Sequence, residues 1–292
     1  MASPEATAER WRLDGQAAFV TGGGGGIGRA IALALAEAGA DVAILEIVPE
    51  RADEAAERVR EIGRKALPLP GDAMDADAIR AAIAAADAGF GRIDILVNNA
   101  GGVSARPFLE QSERSWRRHI DINLVSMLAA THAAAPIMIR GGRGGTILNV
   151  ASIEASRAAP NFAVYAACKA GMVSFTKTMA LELSQHRIRV NCIAPDHTVS
   201  PGSMGNRQGP VDPATWRQRS AEEIDAMNRL IPLGREGVDR ECGDASVYLC
   251  SAMAEYVTGV VLPVDGGTGA GSGWVRGRDG RWTLNEGLRF GP

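Results

Sequence analysis

The stretch from Thr21 to Gly28 reads TGGGGGIG. A short apolar run, Ala17–Val20, precedes this stretch, and a helical pattern with Ile27, Ile31 and Leu35 on one face follows it. Glycines at a strand-to-helix turn permit a tight bend and let backbone N–H groups approach a pyrophosphate. The stretch fits both GxGxxG and TGxxxGxG, so taken alone it also fits a plain flexible turn.

Further apolar runs alternate with alanine-rich helical stretches along the chain. Most of them are continuous, which is typical of strands buried on both faces of a parallel sheet. The predicted strands are Ala17–Val20, Val42–Leu45, Ala66–Leu69, Ile93–Val97, Thr146–Val150, Ile188–Ile193 and Val260–Val264. The alternation predicts a single-domain α/β fold, a doubly wound (Rossmann) parallel sheet of about seven strands. We place this domain at residues 1–267 and a C-terminal extension at residues 268–292.

Composition argues against several classes of protein. The 31 Lys and Arg residues nearly balance the 34 Asp and Glu residues, and no basic block suggests a nucleic-acid or membrane partner. We find no apolar run long enough to span a bilayer and no secretion signal in the polar N-terminus. The four cysteines form no CxxC pair and the four histidines are scattered, so the sequence predicts a cytoplasmic protein with no metal site.

Glu46 ends the second predicted strand. A carboxylate at that position can accept hydrogen bonds from adenosine ribose hydroxyls, and it would repel a 2′-phosphate. Neither Lys nor Arg lies in the glycine turn before Gly28 or directly after Glu46, and we expect Arg51 on the solvated face of the next helix. The sequence therefore favours NAD over NADP as the cofactor, although Glu46 also fits a plain solvated strand end.

Tyr165 and Lys169 form a YxxxK pair. Positions four apart share one face of a helix, and a nearby cation lowers the pKa of a phenol from its usual value near 10. Ser152 directly follows a predicted strand, and Asn123 lies in a helical pattern that begins near Ser112. Taken singly, each also fits a purely structural role. Tyr165 and Lys169 could be a surface pair, Ser152 a turn former, and Asn123 a helix residue bonded to backbone.

The order and spacing of these motifs resemble the short-chain dehydrogenase/reductase family over roughly residues 12–266. The glycine turn matches that family's cofactor turn, and Asn98–Gly101 matches its NNAG motif. Ser152 precedes Tyr165 by 13 residues, the family's usual gap. Two further signatures lie in VNCIAP at 190–195 and VDGG at 264–267.

The resemblance implies a role for each matched residue. Tyr165 would be the general acid/base, and Lys169 would lower its pKa and hold the nicotinamide ribose. Ser152 would orient the reacting oxygen, and Asn123 would support a water that relays protons. The implied cofactor contacts are Gly22, Gly25, Gly26, Ile27, Gly28, Glu46, Asp72, Ala73, Asn99, Ala100, Gly101, Tyr165, Lys169, Pro195, Thr198 and Ser200.

Two segments depart from the family's pattern. Asp196 stands where the family has a glycine, and it fits a solvated loop acid, a partner of Arg157 or a substrate contact. The C-terminal extension carries Trp274, Trp282 and Phe290. We predict that it is ordered and folds over a neighbouring subunit near the substrate entrance.

Residues 200–230 resemble the family's substrate loop, and Met204, Trp216 and Met227 in it offer apolar cover. We therefore expect a small-molecule substrate, medium-sized and mainly apolar. The predicted function is hydride transfer between NAD(H) and a secondary alcohol or ketone, in a homotetramer. Two alternatives stay open: an NADPH-dependent 3-oxoacyl reductase, against which Glu46 counts, and a non-catalytic redox-sensing protein that binds the dinucleotide.

Overall fold

A computed structural model describes residues 9–206 and 209–284 of the chain. The strands are β1 (Ala17–Thr21), β2 (Asp41–Glu46), β3 (Ala66–Pro70), β4 (Ile95–Asn98), β5 (Gly145–Val150), β6 (Ile188–Pro195), β7 (Thr198–Val199), β8 (Gly237–Val238), β9 (Val261–Val264), β10 (Val275–Arg276) and β11 (Trp282–Thr283). Seven of them form one parallel sheet in the order β3-β2-β1-β4-β5-β6-β9. The predicted doubly wound fold and all seven predicted strands are thereby confirmed.

Helices cover both faces of this sheet. They are α1 (Gly26–Glu37), α2 (Pro49–Glu61), α3 (Ala76–Phe90), α4 (Glu113–Ile120), α5 (Ser126–Gly141), α6 (Ala163–Glu182), α7 (Ala221–Leu230), α8 (Asp239–Cys250) and the one-turn α9 (Thr268–Gly271). Helices α1, α2 and α8 share one buried apolar cluster with the sheet, and α3, α5 and α6 share a second. A third, smaller cluster of Met127, Ala151, Met172 and Cys192 lies beside the second. The core is therefore two apolar layers on either side of the strands.

Strand β1 shows why the apolar runs are continuous. Val20 packs in the same cluster as Ile31 of α1, whereas its neighbour Phe19 packs with Ile79 and Ile83 of α3. Successive side chains of a strand point to opposite faces, so both must be apolar when helices cover both faces. The order of the strands also reverses between β1 and β4, which opens a crevice for a ligand at their carboxyl ends.

Helices α4 and α5 are joined without a break by a π-helical turn, Asp121–Val125. Together they form the stretch Glu113–Gly141, which by length and composition could cross a membrane, with a mean hydropathy of 1.6 over its most apolar window. The prediction that no apolar run reaches that length is therefore wrong. In the fold this stretch is part of the core, because α5 packs against α3 and α4 packs against α6.

Residues 268–284 of the C-terminal extension are folded. Strands β10 and β11 pair in an antiparallel fashion, and the guanidinium of Arg276 lies 4.5 Å from the ring centroid of Trp282. Arg229 of α7 donates to the carbonyl oxygen of Arg276, so the extension packs against its own chain. Phe290 lies outside the described residues, and contact with a neighbouring subunit stays a prediction.

Candidate active site

The glycine turn joins β1 to α1 in a shape that side chains would prevent. Gly22 has a φ of +62°, and a Cβ on Gly28 would lie 2.0 Å from the carbonyl oxygen of Gly22. The N-cap residue of α1 is Gly25, which has no side chain to bond the first N–H groups of the helix. Those donors and the helix dipole suit the oxygens of a pyrophosphate.

Thr21 ties this turn to the loop after β4. Its Oγ1 accepts hydrogen bonds of 3.0 Å from the backbone N–H groups of Asn99 and Ala100. In return, the side-chain amide of Asn99 donates to the carbonyl oxygens of Thr21 and Gly22. The two motifs that the sequence separates by more than 70 residues therefore form one rigid wall of the crevice.

Glu46 lies at the same edge of the sheet, and its side chain is fixed. One carboxylate oxygen accepts from the backbone N–H of Gly24 and the other from that of Val48, both at 3.1 Å. The residue is only 8% exposed. Asp72 follows the neighbouring strand β3, and its Oδ1 accepts a 2.8 Å hydrogen bond from the N–H of Met74. The two acids thus border the crevice where the resemblance places the adenosine.

Arg51 is not on a solvated face of α2, and that prediction is wrong. The residue is buried, and its guanidinium donates to the carbonyl oxygens of Asn206 and Gly209. It also lies against the glycine turn, because a Cβ on Gly25 would be 3.4 Å from its Nη1. The side chain therefore links α2 to the long loop after β6, a contact that helical periodicity cannot show.

Tyr165, Lys169 and Ser152 come together as the sequence predicts. The ammonium of Lys169 is buried, donates a 2.7 Å hydrogen bond to the carbonyl oxygen of Val150, and lies 5.7 Å from the ring centroid of Tyr165. Ser152 lies close enough to the phenol of Tyr165 to act on its pKa. Ser152 is oriented further, since its Oγ accepts from the N–H of Glu154.

The pKa of Tyr165 differs from the expectation. Burial raises the pKa of Tyr165 above its usual value near 10, and the hydrogen bond with Ser152 opposes that rise. Burial also lowers the pKa of Lys169, to about 8. The predicted depression of the Tyr165 pKa is wrong for the protein alone, because desolvation of the phenol outweighs the stabilising contacts.

Asn123 lies in the π-helical turn and is fully buried. Its side-chain oxygen accepts from the N–H of Gly102, and its amide donates to the carbonyl oxygens of Gly102 and His119. A Cβ on Gly101 would lie 2.9 Å from Oδ1 of Asn123 and 3.4 Å from Nζ of Lys169. Both polar groups therefore flank the same glycine, which puts them within reach of a common water.

His119 was missed by sequence reasoning although it shapes this region. Its Nε2 accepts a 3.2 Å hydrogen bond from the N–H of Ser104, and its other ring nitrogen pairs with the carbonyl oxygen of Ser115. The side chain thereby fixes the segment after the NNAG motif. The only signal in the sequence was its position one helical turn before Asn123.

The loop after β6 approaches the glycine turn from the other side. Pro195 ends the strand, and a Cβ on Gly26 would lie 3.1 Å from Cβ of Ser200. Thr198 pairs through its backbone with Gly237 in the β7–β8 ladder, and its side chain bonds the carbonyl oxygen of Asp196. Ser200 therefore lies against the glycine turn, whereas the hydroxyl of Thr198 donates to the main chain of Asp196.

Asp196 is not a solvated acid. Its side chain is 9% exposed, and its Oδ2 accepts hydrogen bonds from Nη2 of Arg157 at 3.2 Å and from Oγ1 of Thr268 at 2.8 Å. Arg157 is held on its other side by Glu154. The pairing with Arg157 that the sequence allowed is confirmed. Thr268 was missed because its contact with Asp196 joins segments 72 positions apart, and Glu154, an i,i+3 partner of Arg157, was missed as well.

Comparison with known proteins shows which family the chain belongs to. A family model described as enoyl-(acyl carrier protein) reductase matches residues 22–269. The chain belongs to the short-chain dehydrogenase/reductase family. It is 38% identical over 255 residues to 2-dehydro-3-deoxy-D-gluconate 5-dehydrogenase of Escherichia coli K12, covering 87% of this chain and 96% of that one. This short-chain dehydrogenase/reductase is accordingly an oxidoreductase that acts on CH–OH groups of small molecules.

Solved structures of the family include relatives with either dinucleotide. A gluconate 5-dehydrogenase from Burkholderia cenocepacia J2315, in complex with NADP and tartrate, is 33% identical with a TM-score of 0.80 over 90% of this chain and 99% of that one. A carveol dehydrogenase from Mycobacterium avium, in complex with NAD, is 30% identical with a TM-score of 0.81 over 88% and 98%. A nicotinamide dinucleotide is expected here, and the choice between the two must be argued from this chain's own residues.

Proposed function

We propose that this short-chain dehydrogenase/reductase transfers a hydride between NAD(H) and a secondary alcohol or ketone. The observation that carries the proposal is the buried ammonium of Lys169, 5.7 Å from the ring centroid of Tyr165, with Ser152 close enough to act on the pKa of that phenol. A hydroxyl donor, a titratable phenol and a cation are the groups that an alcohol–carbonyl interconversion needs.

The cofactor site fits a dinucleotide. The uncapped N-terminus of α1 would take the pyrophosphate, and Glu46 and Asp72 would border the adenosine. Gly22, Gly26, Ile27 and Gly28 would form the turn beneath it. When bound, the nicotinamide supplies or accepts the hydride.

NAD is favoured because of what surrounds Glu46. Its carboxylate is held next to Gly24, so a 2′-phosphate in that position would meet a fixed negative charge in a poorly solvated place. Arg51 is the nearest cation, and two loop carbonyls already accept from it. To bind NADP, the protein would have to tolerate the repulsion between Glu46 and the 2′-phosphate. It would also have to break the hydrogen bonds of Arg51 to the loop.

The chain's residues would handle the proton. In alcohol oxidation the phenolate form of Tyr165 would accept the substrate's O–H proton, and the substrate's C–H bond would give its hydride to the oxidised cofactor. Ser152 would donate a hydrogen bond to the reacting oxygen and keep it in line. Lys169 would stabilise the phenolate, and a water between Lys169 and Asn123 would carry the proton onward, since both side chains flank Gly101.

Initial rates with NAD and with NADP test this proposal. We expect oxidation of at least one secondary alcohol in a panel of steroids, sugars and aliphatic alcohols, followed by absorbance of the reduced cofactor, with a clear preference for NAD. An acyl thioester reduced only with NADPH would instead support the 3-oxoacyl reductase. Tight binding of the dinucleotide with no turnover of any compound in either direction would favour the redox sensor.

We also propose that the protein is a homotetramer in the cytoplasm, assembled in part through α4 and α6. These helices border an apolar cavity of about 390 Å3, lined by Phe108, Ile120, Leu124, Ala163, Val164, Ala167 and Cys168. Leu109 beside it is 95% exposed, which an interface between copies would explain. Light scattering after gel filtration should give four subunits, and a monomer would contradict the proposal.

A further inference from the structure

We propose that the carboxylate of Asp196 determines substrate specificity by accepting a hydrogen bond from a second hydroxyl group of the substrate, beside the reacting one. This rests on the proposed function, because it concerns the same site. The substrate would then be a diol- or polyol-type alcohol, apolar on one flank and hydroxylated on the other.

The carboxylate is held rigidly and still has a free acceptor. Arg157 and Thr268 both donate to Oδ2, and Nε2 of His197 lies 3.2 Å from the same oxygen. Within residues 9–206 and 209–284, no group donates a hydrogen bond to Oδ1. That oxygen is also not sealed away from solvent. A buried carboxylate gains free energy when its open oxygen is satisfied, and a substrate hydroxyl can do that.

Asp196 is close to the reacting groups. It directly follows the last residue of β6, and the salt bridge to Arg157 spans to the loop that begins with Ser152 after β5. Its negative charge, together with that of Glu154, helps to raise the pKa of Tyr165. A side chain near the ends of both β5 and β6 can contact the substrate carbon next to the reacting carbon.

There is space for a ligand beside this carboxylate. A cavity of about 410 Å3 is lined by Asp196, by the apolar segment Ile231–Leu233 and by the charged residues Arg235, Glu241 and Asp265. Ser152 and Tyr165 do not line it, so Asp196 lies between this cavity and the reacting groups. The volume is in the range of small-molecule sites. A substrate can therefore reach Asp196 with a hydroxyl and cover the neighbouring wall with its hydrocarbon.

The charges of the cluster favour a hydroxyl over a carboxylate as the recognised group. Arg157 donates to Asp196, and its guanidinium is shared between Glu154 and Asp196. Glu154, Asp196 and Arg157 together carry a net charge of −1. They would therefore repel an anionic group of the substrate, whereas a neutral hydrogen-bond donor can bind.

Matched alcohols that differ by one hydroxyl test the proposal. We would measure binding of cyclohexanol and of cis-1,2-cyclohexanediol to the full-length enzyme with NADH bound, by calorimetry, and their oxidation with NAD. The wild-type enzyme should bind the diol about 10-fold or more tightly than the monool, the gain typical of a hydrogen bond to a charged group. Equal binding of the two, or no binding of the diol, would overturn the proposal.

Variants at the residue make the test specific. Asp196→Gly should abolish the difference in affinity between the diol and the monool, and Asp196→Asn should lie between because it keeps a neutral acceptor. Asp244→Asn, at an exposed acid of α8 that pairs with Arg240, should keep the wild-type ratio. Should Asp196→Gly fail to fold, an unchanged ratio in Asp196→Asn would overturn the proposal. Loss of hydride transfer with the binding difference intact would refute the proposed function alone.

Discussion

The ammonium of Lys169 donates a 2.7 Å hydrogen bond to the carbonyl oxygen of Val150, at the end of the strand that leads into Ser152. The contact holds the cation beneath the reacting groups, where it is only 3% exposed. A charge in such a place is poorly solvated, and its pKa falls to about 8 from an ordinary value of 10.5.

Lys169 should make the stability of the cofactor-free protein depend on pH. Between about pH 8 and 10.5 the unfolded chain binds a proton at this residue that the folded protein has released, so the free energy of unfolding rises with pH in that window. Across this pH window the free energy of unfolding of the wild type should rise by about 3 kcal/mol relative to that of Lys169→Met. Urea unfolding at several pH values measures the difference, and Lys177→Met, at an exposed position of the same helix, should track the wild type. A difference that is flat with pH would contradict the buried cation.

Tyr165→Phe removes only the phenolic oxygen. We expect turnover to fall by about 100-fold or more, because a positioned acid/base contributes that much, while the dissociation constant of the dinucleotide changes little. Rates at saturating alcohol and cofactor fluorescence titrations measure the two effects. Tyr248→Phe, at a partly exposed tyrosine of α8, serves as the control. Full activity in Tyr165→Phe would remove this residue from the mechanism.

Glu46→Gln tests the basis of the cofactor preference. Loss of the charge should raise kcat/KM with NADP relative to NAD by about 10- to 100-fold, since a 2′-phosphate would no longer face a fixed carboxylate. Glu57→Gln, at an exposed glutamate of α2, should leave the ratio alone. A wild-type enzyme that already prefers NADP would refute the assignment before any variant is made.

Arg51→Ala should loosen the loop after β6. The side chain donates to two carbonyl groups of that loop, and leaving them unpaired costs about 1–3 kcal/mol. We expect faster proteolytic cleavage between residues 200 and 219 and a lower thermal unfolding midpoint. Arg58→Ala, at an exposed position of the same helix, controls for loss of a surface charge. Identical cleavage rates in the two variants would show that Arg51 does not hold the loop.

Much of the site was predictable because its residues belong to strand ends. Thr21, Asn99, Ser152 and Pro195 each lie at or directly after a central strand, and parallel strands bring their carboxyl ends to one edge. The seven strands themselves followed from continuous apolar runs. Asn123 was located by resemblance alone, since its π-helical turn has no signature that periodicity detects.

Other features depended on contacts between segments far apart in the chain. Asp196 accepts from residues 39 positions before and 72 positions after it, and Arg51 bonds carbonyls more than 150 positions away. Neither partnership leaves a local pattern, so a solvated position was the natural expectation for Arg51.

The sequence by itself determined the doubly wound sheet and the glycine turn, because both follow from local periodicity and composition within a few turns of chain. Its resemblance to the family proposed the reacting residues. Only the tertiary structure decided the surroundings of those residues: which carboxylates are fixed, which cation is shared, and in which direction the pKa of Tyr165 moves. Burial and long-range charge set those properties, and both are sums over neighbours that only the folded chain brings together.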